Sequence, residues 1–214
     1  VEQGGEDLAA LEAGLPNLIK HIENLKTFGV PAVVAINRFP TDTARELEFV
    51  GKAAIDAGAN DAAVVEVYNR GGEGGIDLAQ AVLRAAASEP AFKRVYELNW
   101  PLEQKIEAIA RTLYGAATVR LSTTAQRQLD ELVRYGSDKL PVCMAKTPTS
   151  LSADPNLLGR PEGFTVEVRE FRLFAGAGYV VVLLNDIQTM PGLGRKPRVT
   201  QIDIDEHGNI LGVS

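Results

Sequence analysis

An apolar run that breaks abruptly into a polar and aromatic turn is the feature that most constrains this fold. Residues Val33–Ile36 are four consecutive apolar residues, which is typical of a buried strand. The polar turn that begins at Asn37 ends at Thr43, and Thr43-x-x-Glu46 has the spacing of a capping box at the start of a helix. A short apolar strand followed by a capped helix predicts a parallel α/β sheet. Ligands of such sheets bind beyond the carboxyl ends of the strands, so this turn is a candidate site.

The first half of the chain alternates predicted helices and strands. Apolar residues recur at helical spacing from Leu15 to Leu25, which predicts a helix. Pro16 suits the first turn of this helix, and Gly29 suits its carboxyl-terminal end. The elements that follow are a strand at 32–36, a helix at 43–57, a strand at 62–67, a glycine run at 71–75 and a helix at 76–86. This αβαβα order predicts an α/β fold, in which helices cover both faces of a parallel sheet.

Ser88-Glu89-Pro90 marks a predicted boundary between residues 1–88 and a smaller α+β part at 89–214. The second part is predicted to contain helices at 101–113 and 124–135, strands at 140–145 and 179–184, and a terminal hairpin of 202–204 with 210–213. Another strand begins at Phe164, where apolar and polar residues alternate. The alternation falters near Phe171, as it does at a β-bulge.

Composition and charge narrow the classes of partner. The net charge of −6 disfavours nucleic acid, which requires a basic face. No apolar run approaches the roughly 18–20 residues of a membrane helix, so we expect no membrane partner. The chain starts with neither an initiator Met nor the order of a signal peptide, and we expect it to begin inside a longer protein.

The single cysteine, Cys143, excludes an intramolecular disulfide. It fits a reducing compartment, and we expect a cytoplasmic protein. Cys143 lies between Val142 and Met144 on a predicted strand, where we expect it to be buried as a small hydrophobe. With one cysteine and no histidine pair, the sequence offers no metal-ligand cluster of recognisable spacing.

Two aromatic residues follow the predicted strands of the first half, Phe39 after one and Tyr68 after the next. If the strands are neighbours, both rings emerge at one edge of the sheet and suit a flat heterocycle. The alternative, which spacing alone favours, is that both rings cap the core. Asn37 can bond a ring edge, or it can tie down the turn that Asp42 and Thr43 continue, and the sequence does not decide between these roles.

The glycine run Gly71–Gly75 precedes a predicted helix, an arrangement that often cradles phosphate. It lacks the G-x-x-x-x-G-K-[ST] pattern, and Glu73 at its centre would repel phosphate. We therefore predict a structural turn near the ligand pocket.

Several segments resemble those of formate–tetrahydrofolate ligases (formyltetrahydrofolate synthetases). They are AINRFPTDT at 35–43, GGEGG at 71–75, LPVCMAKT at 140–147, TMPGL at 189–193 and IDID at 202–205. The segments span nearly the whole chain in the family's order, and the chain resembles only the carboxyl-terminal part of that enzyme. The resemblance implies that the parent protein joins formate to tetrahydrofolate at N10, through formyl phosphate, while ATP becomes ADP and phosphate. It also implies a P-loop NTPase-like core, of which the first part is a remnant, and a homo-oligomer.

The same resemblance implies a pocket for the pterin ring of tetrahydrofolate, overlapping the adenine position of ATP. The residues assigned to this pocket are Asn37, Phe39, Pro40, Val64, Glu66 and Tyr68. Tyr68 stands where many members carry Trp, which offers more stacking area. The phosphate loop, the Mg²⁺ environment and the residues that activate formate belong to the missing amino-terminal part, so no catalytic residue is assigned in this chain.

The rival function class is a non-catalytic scaffold or oligomerisation module with a vestigial ring pocket. The reading frame upstream of Val1 distinguishes the two. A G-x-x-x-x-G-K-[ST] loop there supports the enzyme, and a natural start at Val1 supports the module.

Overall fold

The computed structural model describes residues 5–89, 91–145, 150–152, 154, 156–185, 195–206 and 210–212. The helices are α1 Leu8–Thr27, α2 Ala44–Asp56, α3 Val67–Arg70, α4 Ile76–Ala86, α5 Leu102–Ile109 and α6 Thr123–Arg134. The strands are β1 Val33–Asn37, β2 Asp61–Val65, β3 Thr118–Leu121, β4 Val142–Ala145, β5 Thr165–Phe174, β6 Tyr179–Leu184, β7 Asp203–Ile204 and β8 Ile210–Leu211. Turns of 3-10 helix occur at Gly71–Gly75 and Arg198–Gln201, and a π-helical turn, Ala110–Tyr114, continues α5. None of the helices in these ranges is both long and apolar enough to cross a bilayer.

In the first part, β1 and β2 pair in parallel as a two-stranded sheet. One face of the sheet carries Val34 and Ala62, which pack on a cluster that includes the buried residues Ile22 of α1 and Ala54 of α2. Because side chains alternate between the two faces of a strand, the buried Val65 lies on the opposite face. Helix α4 packs against both strands. The fold is thus α/β with helices beside a parallel sheet, while the relation to P-loop NTPases stays a prediction.

The capping box at the start of α2 is confirmed. The Thr43 hydroxyl accepts from the Glu46 amide at 3.2 Å, and the Glu46 carboxylate accepts from the Thr43 amide at 2.8 Å. The other Glu46 oxygen accepts from the Asp7 amide at 2.9 Å. These backbone donors, Thr43 first, hold the pKa of Glu46 below its ordinary value. One carboxylate therefore ties the start of α1 to the start of α2.

The predicted start of the first helix was wrong. Helix α1 begins at Leu8, and its N-cap is Asp7, whose side chain accepts from the Ala10 amide at 2.9 Å. Pro16 lies inside the helix, where it forgoes one backbone hydrogen bond. Residues 8–13 are mostly Ala, Leu and Glu, which are strong helix formers, and they extend the helix ahead of the proline.

The second part contains a mixed four-stranded sheet in the order β3-β5-β6-β4. Strands β5 and β6 are antiparallel, while β3 runs parallel to β5 and β4 parallel to β6. Helices α5 and α6 supply Ile106 and Leu129 to the same core as Val168 and Val182 of the sheet. The bulge is confirmed and lies at Arg169, between Val168 and Glu170. Strand β3 was not predicted from the sequence, and the domain boundary at 88 stays a prediction.

Strand β4 lies at the edge of this sheet, with its free side covered by two tyrosines. The Val142 amide donates to the Tyr96 hydroxyl at 3.2 Å, and the Tyr114 hydroxyl donates to the Met144 carbonyl at 3.3 Å. Val142 and Met144 pack against the core, so alternation turns Cys143 to the other face. Cys143 is exposed, and the prediction that it is buried was wrong.

The terminal hairpin is confirmed by the antiparallel pairing of β7 with β8. Its predicted turn includes residues 207–209, which lie outside the described residues.

Candidate functional site

The carboxyl ends of β1 and β2 meet at one edge of the sheet. Asn37, the last residue of β1, is in register with Val65, the last residue of β2. The ladder continues one step further, because the Arg38 amide donates to the Val65 carbonyl at 3.0 Å. The expectation that these strands are neighbours is therefore confirmed. The chain leaves both strands side by side, which brings Phe39 and Glu66 to the same edge.

The turn after β1 is held by Asp42. The Phe39 amide donates to the Asp42 carboxylate at 2.8 Å, and the Asp42 amide donates to the Phe39 carbonyl at 3.0 Å. The Asn37 side chain is exposed and makes no hydrogen bond to any residue in the described ranges. Asp42 therefore ties the turn. The interpretation that Asn37 does so was wrong, and the Asn37 amide faces solvent.

The chain after β2 is helical sooner than the sequence predicts. Strand β2 ends at Val65, and Val67 opens the four-residue helix α3 that carries Tyr68. The Tyr68 side chain is 95% exposed and Phe39 is 58% exposed. Neither ring caps the core, so the alternative that spacing favours was wrong. Val64 at the end of β2 is also exposed, at 38%, as is Pro40.

Glu66 joins the two strand ends to α3. Its carboxylate lies 3.4 Å from the Arg38 guanidinium and 3.5 Å from the Arg70 guanidinium. Each pair is partly exposed and contributes little stability alone, but together they connect three consecutive elements of the edge. Arg70 was not predicted as part of this edge, although the i, i+4 spacing from Glu66 is the signal that identifies such a pair.

The glycine run closes against Glu66. The Glu66 amide donates to the Gly74 carbonyl at 3.0 Å. A Cβ added at Gly74 would lie 2.5 Å from the carbonyl carbon of Glu66, so only glycine permits this approach. Gly71 has φ of +57°, a left-handed conformation that favours glycine as well. The prediction of a structural turn is confirmed, and the turn supports the start of α3.

The edge thus presents two aromatic rings, an exposed amide and a pair of arginines. Phe39 and Tyr68 make no ring contact with each other, and more than half of each residue is exposed. Exposed rings of this kind stack on flat heterocycles, and the Asn37 amide can both donate to and accept from a ring edge. No group of three or more His, Cys, Asp or Glu residues in the described ranges is arranged to hold a metal ion. The edge is therefore suited to a planar organic ligand.

Known proteins match the chain over nearly its whole length. Residues 2–214 match the family model described as formate–tetrahydrofolate ligase. The formate–tetrahydrofolate ligase of Thermotoga maritima is 49% identical over 210 residues, which is 98% of this chain and 38% of that protein. The chain therefore spans well under half the length of this curated relative.

Proposed function

This chain belongs to the formate–tetrahydrofolate ligase family, and on that premise we propose that it supplies the ring-binding part of such an enzyme. In the parent protein, a formate oxygen attacks the γ-phosphorus of ATP, which gives formyl phosphate and releases ADP. N10 of tetrahydrofolate then attacks the formyl carbon, and inorganic phosphate leaves. The product is 10-formyltetrahydrofolate. We propose that the parent protein is a cytoplasmic homo-oligomer.

The observation that carries this proposal is the exposure of two aromatic rings at the joined ends of β1 and β2. An aromatic residue that is 95% exposed, as Tyr68 is, gains little from the fold of its own chain. A pterin ring that stacks on Tyr68 or Phe39 would cover this apolar area. Val64 and Pro40 are exposed as well, and we propose that they add apolar contacts to the ring. The adenine of ATP occupies an overlapping position in our proposal.

Glu66 has a different role from the rings. Both of its oxygens face arginines, so we propose that it acts as a positioning residue that holds α3, and with it Tyr68, beside the end of β1. The free amide of Asn37 is the group that would bond the edge of the pterin.

The phosphate chemistry is assigned to the part of the parent protein outside this chain. The 214 residues contain no G-x-x-x-x-G-K-[ST] loop, the pattern that cradles a triphosphate and its Mg²⁺. We therefore expect the isolated chain to form no 10-formyltetrahydrofolate from formate, ATP and tetrahydrofolate. Product above the protein-free background would refute this division of roles.

The test of the ring site is substitution of Tyr68 in the parent protein. Tyr68→Ala should weaken tetrahydrofolate binding by roughly 1–3 kcal/mol, the scale of one stacked ring. Tyr68→Phe and Tyr68→Trp should keep most of the affinity, because the ring face binds rather than the hydroxyl. The free energy of unfolding should change by less than about 0.5 kcal/mol, since the side chain is exposed.

Tyr135→Ala is the matched control. Tyr135 is 74% exposed at the end of α6, far along the chain from the candidate edge, and its loss should leave tetrahydrofolate binding unchanged. Unaltered affinity in Tyr68→Ala would overturn the site assignment. Failure of the unsubstituted parent to bind tetrahydrofolate would instead favour the scaffold with a vestigial pocket.

A further inference from the structure

A separate cavity lies between the end of α1, residues 92–98, the π-helical turn and β4. Its volume is about 500 Å³, within the range of small-molecule sites. The lining is mostly apolar and aromatic, and includes Phe28, Phe92, Tyr96, Leu98, Leu113 and Tyr114. None of the residues assigned to the ring-binding edge lines it.

The walls of the cavity are fixed by contacts that do not involve a ligand. Tyr96 and Tyr114 are held to β4 through their hydroxyl groups, at 3.2 and 3.3 Å. The rings of Phe28 and Phe92 stack with their centroids 6.2 Å apart and their planes within 3°. Binding to preformed walls costs little ordering of side chains.

The π-helical turn that forms one wall of the cavity is also held by helix α1. Lys20 donates to the Thr112 carbonyl at 2.9 Å, and Asn24 donates to the Leu113 carbonyl at 3.0 Å. Helix α1 thus satisfies carbonyl groups of the turn. Turns of π-helix are rare and occur frequently at functional sites.

Arg94 is the charged residue among the described residues that line the cavity. The exposed Arg94 side chain forms no ion pair or hydrogen bond within the described part of the chain. A guanidinium without a carboxylate partner, beside aromatic walls, is complementary to a ligand that combines a flat ring with a negative charge.

We propose that this cavity binds an aromatic molecule that carries one anionic group. The ring lies against the side chains of Phe28, Phe92 and Tyr96, and the anion accepts hydrogen bonds from Arg94. This site does not depend on the proposed ligase function, because it shares no residue with the ring-binding edge.

The probe is 8-anilinonaphthalene-1-sulfonate, whose fluorescence reports transfer into an apolar site, titrated into the 214-residue chain. We expect saturable binding with one site per chain. The neutral analogue N-phenyl-1-naphthylamine should bind about tenfold more weakly. Arg94→Gln should weaken binding of the sulfonate about tenfold and leave binding of the neutral analogue unchanged.

Two further variants separate this cavity from other surfaces. Leu98→Trp should block both probes by filling the cavity, and because Leu98 is 43% exposed the change should be tolerated by the fold. Arg127→Gln, which removes an exposed arginine of α6, is the matched charge control and should have no effect. An equal loss in Arg94→Gln and Arg127→Gln, binding without saturation, or full binding in Leu98→Trp would overturn the proposal. Loss of the probe in Tyr68→Ala would place it at the ring-binding edge and would also overturn it.

Discussion

Gly74→Ala tests whether the glycine turn supports the helix that carries Tyr68. The added Cβ would lie 2.5 Å from the carbonyl carbon and oxygen of Glu66 and 2.9 Å from the Val67 nitrogen. Optimal contacts between carbon atoms are about 3.5–4.0 Å. All three neighbours are backbone atoms, so a side-chain rotation cannot relieve the overlap. The chain at Glu66 and Val67 has to move away from the turn by about 1 Å.

The magnitude follows from two contributions. Overpacking of this kind costs about 1–3 kcal/mol, and displacement weakens the hydrogen bond from the Glu66 amide to the Gly74 carbonyl, which contributes about 1 kcal/mol. Because the turn is partly exposed and can relax, we expect a net loss near the lower end, about 2 kcal/mol. For a chain of 214 residues, that loss lowers the Tm by about 4–8 °C.

Gly72→Ala is the control, since an added Cβ there meets no atom within 4 Å. Its free energy of unfolding should stay the same or rise by up to about 1 kcal/mol, because alanine restricts the unfolded chain. Urea denaturation and thermal melts of both variants measure the difference. Equal stability of Gly74→Ala and Gly72→Ala would refute the reasoning from close approach. In the parent protein, Gly74→Ala should also weaken tetrahydrofolate binding at temperatures where the protein is folded, because α3 moves with its tyrosine.

Two further predictions concern the second part of the chain. Cys143 is exposed, so it should react with a thiol reagent in the folded protein, and a thiol that reacts only after unfolding would contradict the structure. For the same reason, Cys143→Ser should change the free energy of unfolding by less than about 0.5 kcal/mol. Burial raises the pKa of Tyr114 to about 12, above the ordinary value near 10, so the fold favours the protonated phenol. Its stabilising contribution is complete below pH 10 and is lost as the pH rises to about 12, a change of up to about 2.7 kcal/mol. Urea unfolding of Tyr114→Phe between pH 9 and 12 should show a shallower loss of stability than the unsubstituted chain, and identical slopes would count against a buried phenol.

The elements that could be predicted from the sequence are those encoded by nearby residues. The β1 strand and the capped α2 helix were both predicted, because an apolar run and a Thr43-x-x-Glu46 spacing are local signals. The short strand β3 alternates polar and apolar residues over four positions only, which is a weak local signal. Its four residues pair with β5 some 47 positions later, and this long-range pairing, which the spacing does not reveal, completes the strand.

The pairing of the two strands beside the candidate site was predicted from the sequence, but the surroundings of the two aromatic rings were not. The register of β1 with β2 brings Phe39 and Tyr68 to one edge, as the strand pattern suggested. Their exposure depends on how the turn at Asp42 and the helix α3 direct the side chains, and neither is visible in the spacing. The exposure of Cys143 has the same origin, since alternation fixes which residues share a face but only packing decides which face is covered.

The two tyrosine hydroxyls on β4 have a consequence for how copies of this chain behave toward one another. An edge strand with unpaired amide and carbonyl groups is a template on which a strand from another molecule can add. Tyr96 occupies the outward amide of Val142, and Tyr114 occupies the outward carbonyl of Met144. Since these are side-chain contacts, they present no continuing backbone ladder to an incoming strand. We therefore expect the same phenols that line the cavity to disfavour the addition of a strand from another molecule at this edge.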